Sequence, residues 1–171
     1  MANLNNPHGL KPLGISLSGG PGLVEVFGKV VGYGTAIFRY DAINRVADGS
    51  IEASASAGTT LYSGVALDYG AALTVTEHLC LTSFDAIFEA QADGSLVAAD
   101  MGLNANLVLT AGNAATKVSK HQINSSTEDV TATLDVHLLG LLNCPDNEFG
   151  SYARLEIVFN KHRMHPGVVG V

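Results

Sequence analysis

His162 and His165, separated only by Arg163 and Met164, are the closest pair among the six histidines of this 171-residue chain. On a helix such spacing sets two imidazoles on one face, where a third ligand would complete a site for zinc or a similar metal. Here the pair follows an alternating strand, ends at Pro166 and has no Asp, Glu or Cys nearby to join it. Gly22 to Gly28-Lys29 comes close to a phosphate-binding loop, but five residues separate the glycines and Val30 stands where a Ser or Thr would hold magnesium. Gly32-Tyr33-Gly34 lacks the third glycine and following helix of a dinucleotide fingerprint. No Gly-x-Ser-x-Gly elbow occurs, nor the His-x-His pair with later Glu and His that a metal-binding cupin barrel needs. Cys80 and Cys144 have no metal-ligand spacing and are expected to be buried, reduced thiols, with a bridge between them left open. No catalytic residue, cofactor or metal is therefore expected, and the chain does not read as an enzyme.

Charge narrows the partners. Residues 1–40 carry Lys11, Lys29 and Arg39 against Glu25, and Lys161 and Arg163 make the last residues basic too. Between them, residues 41–158 hold four basic and fifteen acidic side chains, within a net charge of −7. Such a body repels nucleic acid, whose binding depends on Lys and Arg neutralising phosphates. Basic ends on an acidic body suit an acidic protein surface, although a few terminal cations also serve solubility alone. No run approaches the roughly 18 apolar residues of a membrane span, and the start has no secretory signature, so neither a membrane partner nor export is expected.

The elements that would carry these residues are short strands. Val130 to Leu138 alternates, with Val130, Ala132, Leu134, Val136 and Leu138 on one face and Thr131, Thr133, Asp135 and His137 on the other. The turn Leu142–Gly150 contains Asp146, Asn147 and Glu148, read as turn formers bonding their own backbone, and leads to a second alternating strand, Tyr152–Asn160. A hairpin is expected there. Further strands are expected over Leu23–Val31, Thr35–Tyr40, Ile51–Ala57, Thr60–Leu67, Leu73–Thr82, Phe84–Gln91, Leu96–Ala99, Leu103–Thr110 and Lys117–Ile123. The Asp93-Gly94 pair predicts a tight hairpin returning Leu96–Ala99 onto Phe84–Gln91. Glu77 interrupts the apolar face of Leu73–Thr82, so that face is partly open there or the register changes, and an open edge is the reading taken. Nine or ten strands and no amphipathic helix of three turns predict an all-β, antiparallel jelly-roll-like β-sandwich or barrel over 23–171. Residues 1–22, with Pro7, Pro12, Pro21, five glycines and isolated leucines, read as an extended N-terminal arm that packs on a neighbouring subunit or partner.

Four pieces in order resemble one known family: Met1 to Gly14, beginning Met-Ala-Asn-Leu-Asn-Asn-Pro-His-Gly-Leu; the central Phe84-Asp-Ala-Ile-Phe-Glu-Ala-Gln-Ala-Asp-Gly94; the turn Leu139 to Gly150; and Ala153-Arg-Leu-Glu-Ile-Val-Phe-Asn-Lys-His162. Together they resemble the capsid cement, decoration or minor structural proteins of tailed-bacteriophage heads, over nearly the whole chain. The resemblance implies a homodimer or homotrimer on the outer surface of the expanded head, assembled in the host cytoplasm and bound to the major capsid protein. On that reading Leu4, Pro7, Leu10, Lys11, Pro12, Leu13 and Ile15 anchor the arm to the capsid. The other classes that such a body serves are a head-fibre base, a receptor- or glycan-binding module, and an enzyme. A glycan module would cluster its aromatics, whereas Tyr33, Tyr40, Tyr62, Tyr69 and Tyr152 are scattered in sequence.

Overall fold

The computed structural model describes residues 3–29, 33–58, 61–74 and 77–165. Residues 1–2 of the expected arm, Val30 and Val31 of the expected Leu23–Val31 run, Thr60 of Thr60–Leu67, Val75 and Thr76 of Leu73–Thr82, and Gly32 lie outside them. The fold is all-β and sandwich-like, with every ladder between its strands antiparallel. The first sheet contains β1 (Lys11–Ser16), β7 (Ala86–Gln91), β14 (Arg154–Phe159), β12 (Val136–Leu141) and β9 (Asn104–Ala105), in the order β1-β7-β14-β12-β9. The second contains β2 (Val24–Gly28), β6 (Glu77–Leu81), β5 (Gly64–Ala66), β3 (Ala42–Arg45) and β4 (Ile51–Ala53), in the order β2-β6-β5-β3-β4. Two small ladders complete it: β10 (Leu107–Val108) with β11 (Gln122–Ile123), and β8 (Ser95–Leu96) with β13 (Gly150–Ser151). No helix among the described residues is long and apolar enough to cross a membrane.

Strand alternation places the cores. Ala42, Val65 and Leu81 of the second sheet meet Phe88, Ala90, Leu138, Leu155 and Ile157 of the first, closing the main core between the layers. Phe159 stacks on Tyr62 at 4.9 Å and meets Phe88 edge-on at 5.4 Å, so aromatic area is concentrated at one point of a core otherwise built of aliphatic side chains. The neighbours Ile43, Ala66 and Cys80 point the other way and pack with Ile37 and Ile51 beneath Phe27 and Tyr33. The second sheet is thus covered on both faces.

Several expectations are corrected. Val130–Asp135 is a turn, and the strand begins only at Val136. The Asp129 carboxylate captures the Thr131 N–H and hydroxyl, while the Asp135 carboxylate is drawn inside to accept from the backbone of Gly58 and Leu107, and both bonds bend the chain out of the ladder. β12 and β14 still pair, with a bulge between Leu138 and Gly140. The Asp93-Gly94 hairpin does not form: β7 already holds β1 on one side and β14 on the other, so β8 pairs with β13 instead. Asp93 is occupied by Ser125, whose N–H and hydroxyl reach its carboxylate. Ala98 and Ala99, expected in a strand, fall instead in a single 3-10 turn, Ala98–Asp100. Leu103–Thr110 divides into β9 and β10, which join different ladders. Thr35–Tyr40 makes only isolated bridges, and β3, which was not expected, forms the real hairpin with β4 across Asp48-Gly49. In β6 the face that carries Glu77 is open at Glu77 and Leu79, as expected, while Leu81 on the same face enters the main core and His78 and Cys80 are buried on the other.

The N-terminal segment is extended over its described residues, and it is laid on the protein's own body. β1 pairs with β7, and Leu10 has no exposed surface. Pro12 lies on an edge strand, the place in a sheet that tolerates a missing N–H, and Gly14 takes φ +76° at the irregularity between Pro12 and Ser16.

Candidate functional site

β7 is buried along its whole length, which an outer strand face seldom is. Ala86, Phe88 and Ala90 enter the main core, so Glu89 and Gln91 must point to the outer face of the first sheet, where residues 3–11 cross over them. Gln91 holds that crossing in place. Its Oε1 accepts from Asn6 N at 2.9 Å, and its Nε2 donates to Leu4 O at 2.8 Å and to Tyr152 O at 3.0 Å. Glu89 supplies the charge: His8 Nε2 lies 3.3 Å from Oε1, Arg154 Nη1 3.5 Å from Oε1, and Lys11 Nζ 3.3 Å from Oε2. The close approach of His8 and Lys11 holds the Glu89 carboxyl down at about 2 despite its burial.

Above this floor lies a groove of about 710 Å³. Its rim brings together Arg39 and Tyr40 from the segment before β3, and Asp146, Tyr152 and Arg154 from the β12–β14 connection and β14. The Arg39 guanidinium lies 4.7 Å from the Tyr40 ring centre. Arg154 Nη2 also reaches Cys144 Sγ at 2.8 Å and Pro145 O at 3.3 Å. Among the described residues, three of the five non-glycine residues with left-handed backbone stand here, Tyr40 at φ 73°, Asp146 at 59° and Tyr152 at 61°. Each such residue costs on the order of 1 kcal/mol or more. Tyr40 is held in that conformation from both sides, Leu10 N donating to its carbonyl at 3.0 Å and its own N–H to Ala66 O at 2.7 Å. Gly9, at φ +76°, is required for this contact, because a Cβ there would lie 2.5 Å from Tyr40 O and 2.4 Å from Ser119 Cβ.

Other polar groups are enclosed. Asp41, Ser119 and His121 lie close together, each 3% exposed or less, so no substrate reaches them. Ala42 N donates to His121 Nδ1 at 3.2 Å, which leaves the proton of a neutral ring on Nε2, 3.4 Å from Asp41 Oδ1. Burial drives both toward neutrality, Asp41 up to about 6 and His121 down to about 4. They brace the fold rather than form a triad. Asp135, wholly buried, has Lys161 Nζ at 4.0 Å, and Lys161 in turn donates to Gly58 O.

The residues weighed for chemistry do not converge. His162 is fully buried and accepts from Met164 N through Nδ1, whereas His165 is exposed and packs against Phe84. The glycine run 22–28 is an edge strand, and Lys29 is buried with its ammonium on Ala71 O. Cys80 and Cys144 are both unbridged; Cys80 is buried, which pushes its thiol up to about 12, and Cys144 is half-buried beside Arg154. Among the described residues no group of three or more His, Cys, Asp or Glu side chains is placed to hold a metal. Asn147 does form its turn, donating to Leu142 O and Arg154 O and accepting from Arg154 N. The chain matches no family model, no curated protein and no solved structure.

The proposed anchor residues have divided fates. Leu4 and Ile15 are exposed, Pro7, Pro12 and Leu13 are half-buried, Lys11 is engaged with Glu89, and Leu10 lies in the chain's own core, where it cannot also meet a partner. Sequence reading missed the groove. Its signal was the alternation of Glu89 and Gln91 with apolar residues, which marks a polar outer face on a strand that the fold then covers.

Proposed function

We propose that the protein is a cement or decoration protein of a tailed-bacteriophage head, binding the outer surface and stabilising contacts between major capsid subunits. The observation that carries this reading is where exposed apolar surface lies. Of the thirteen exposed large apolar side chains among the described residues, six, Leu4, Ile15, Leu17, Leu23, Val24 and Val26, fall within the first 26 residues, while Leu73, Val97, Val130 and Met164 are exposed elsewhere. β1 and β2 are edge strands of the two sheets, and residues 17–23 join them directly, so both open edges lie on one side of the sandwich. Val26 stands opposite Leu79, itself exposed, which widens the apolar strip across β2 and β6. An apolar strip along unpaired edges is a liability on an isolated molecule and an asset where a second surface covers it. A cement protein works by such covered area, repeated over several copies, and needs no reacting group. Further copies of the chain and the major capsid protein are the partners this reading assigns.

Cosedimentation with empty expanded heads tests it. Wild-type protein should pellet with heads, and a V26D/L79D variant should remain in the supernatant while keeping its circular dichroism spectrum. Equal pelleting of the two would overturn the reading. Light scattering of the isolated protein should give a mass of two or three chains.

A further inference from the structure

The groove over Glu89 shares only Leu4 with the apolar contact just described, and its composition differs from the rest of the molecule. Three of the nine Lys and Arg residues, Lys11, Arg39 and Arg154, line it against two carboxylates, Glu89 and Asp146, on a chain whose net charge is −7. Glu89 faces Lys11 and Arg154, but no carboxylate lies within ion-pair distance of Arg39 among the described residues; its guanidinium is exposed and rests on Tyr40. Lys11, half exposed, spends one of its three N–H donors on Glu89. Two cations at the rim therefore keep unused donors that point to an acceptor from outside.

Left-handed backbone is concentrated around them. Tyr40, Asp146 and Tyr152 hold left-handed conformations that glycine would take without cost, and all three border this one groove. Strain collected at one site by non-glycine side chains indicates that those side chains are used there. Two are tyrosines, which add flat apolar area and a hydroxyl to the wall. The volume, about 710 Å³, falls within the size of ordinary ligand clefts.

We propose that this groove binds a carboxylate-bearing peptide segment of a partner chain, with Arg39 and Lys11 taking the carboxylate and Tyr40 and Tyr152 flanking it. A small cationic spot on an acidic molecule rewards a short segment with one or two charges. A long polyanion would gain at the spot and lose over the rest of the surface. Arg39 suits the task because its planar fork matches a carboxylate and its stacking on Tyr40 sets the fork before binding. The partner named for this segment, the capsid shell, rests on the function proposed above; the groove's chemistry does not.

The test is fluorescence anisotropy of the full chain at low ionic strength, with a labelled Gly-Glu-Gly-Asp-Gly-Glu peptide and its Gln/Asn counterpart. The acidic peptide should bind and the amide peptide should not. R39Q should weaken binding about tenfold, the loss of one charge-assisted pair, with an unchanged melting temperature, while K120Q, off the groove, should bind as wild type. Equal affinity of R39Q and wild type, equal binding of the amide peptide, or an equal loss in K120Q would each overturn the proposal. Peptide binding without head binding would leave the groove standing and remove the decoration reading; head binding without peptide binding would do the reverse.

Discussion

Glu89 is the residue on which the outer face of the first sheet depends. Its carboxylate is the shared acceptor for His8, Lys11 and Arg154, which come from the N-terminal segment and β14 and would otherwise repel one another. E89Q should therefore cost about 2 kcal/mol, because a charged acceptor of several hydrogen bonds is lost and its donors stay in place. The pH dependence follows from the sign of its shift. A carboxyl held near 2 in the fold and 4.5 when unfolded adds stability above pH 4.5, lost as the pH falls toward 2. Urea midpoints measured from pH 5 to pH 2 should show this acid limb in the wild type and a flatter one in E89Q.

At the level of elements, the N-terminal segment shows how a strand can be read correctly in conformation and wrongly in partner. Prolines and glycines predict an extended chain outside a central strand, and β1 is an edge strand, as those residues require. They carry no information about which surface receives it. That was decided by β7, whose Glu89 and Gln91 offer acceptors and donors at the spacing the crossing segment can meet. Gly9 and Gly14 separate the two contributions experimentally, since both sit at φ +76° but only Gly9 touches anything where a Cβ would go. G14A should cost about 1 kcal/mol from backbone strain alone, and G9A about 3 kcal/mol, because Tyr40 and Ser119 must also move. Chemical denaturation of both variants checks the difference; equal costs would mean that the segment is loosely docked. The same limit on sequence reading explains β8. Asp93-Gly94 is a good hairpin signal, but a hairpin needs a free edge, and β7 has none.

For the molecule as a whole, acid should act through buried histidines before it acts through carboxylates. His121 and His162 are both held down to about 4 by burial, so the unfolded chain binds their protons more tightly between pH 6.5 and 4, and stability falls as pH drops through that window. Asp41 works in the opposite direction, since its carboxyl is raised to about 6 and the fold favours the protonated form from pH 6 down to 3.8. Two histidines outweigh one carboxyl. The thermal midpoint should decline from pH 7 to pH 4, and H121N, with one fewer buried group to charge, should decline less steeply. A flat profile over that range would contradict the burial of both rings.

The all-β class, the extended leading segment and the pairing of the last two long strands follow from period-2 alternation and turn residues, because both depend on near neighbours in sequence. Strand neighbours and the groove do not, because they arise from competition among surfaces far apart in the chain. His78 stands in the interior, where Asp68 from the segment after β5 meets its Nδ1 at 2.6 Å, while Glu77 is exposed at the start of β6. Arg39, Lys11 and Arg154 lie scattered along the sequence and become one cationic rim only when β1 and β14 take the two sides of β7. Local patterning determines what each segment can be; the tertiary fold determines which polar groups must share a space from which water is largely excluded.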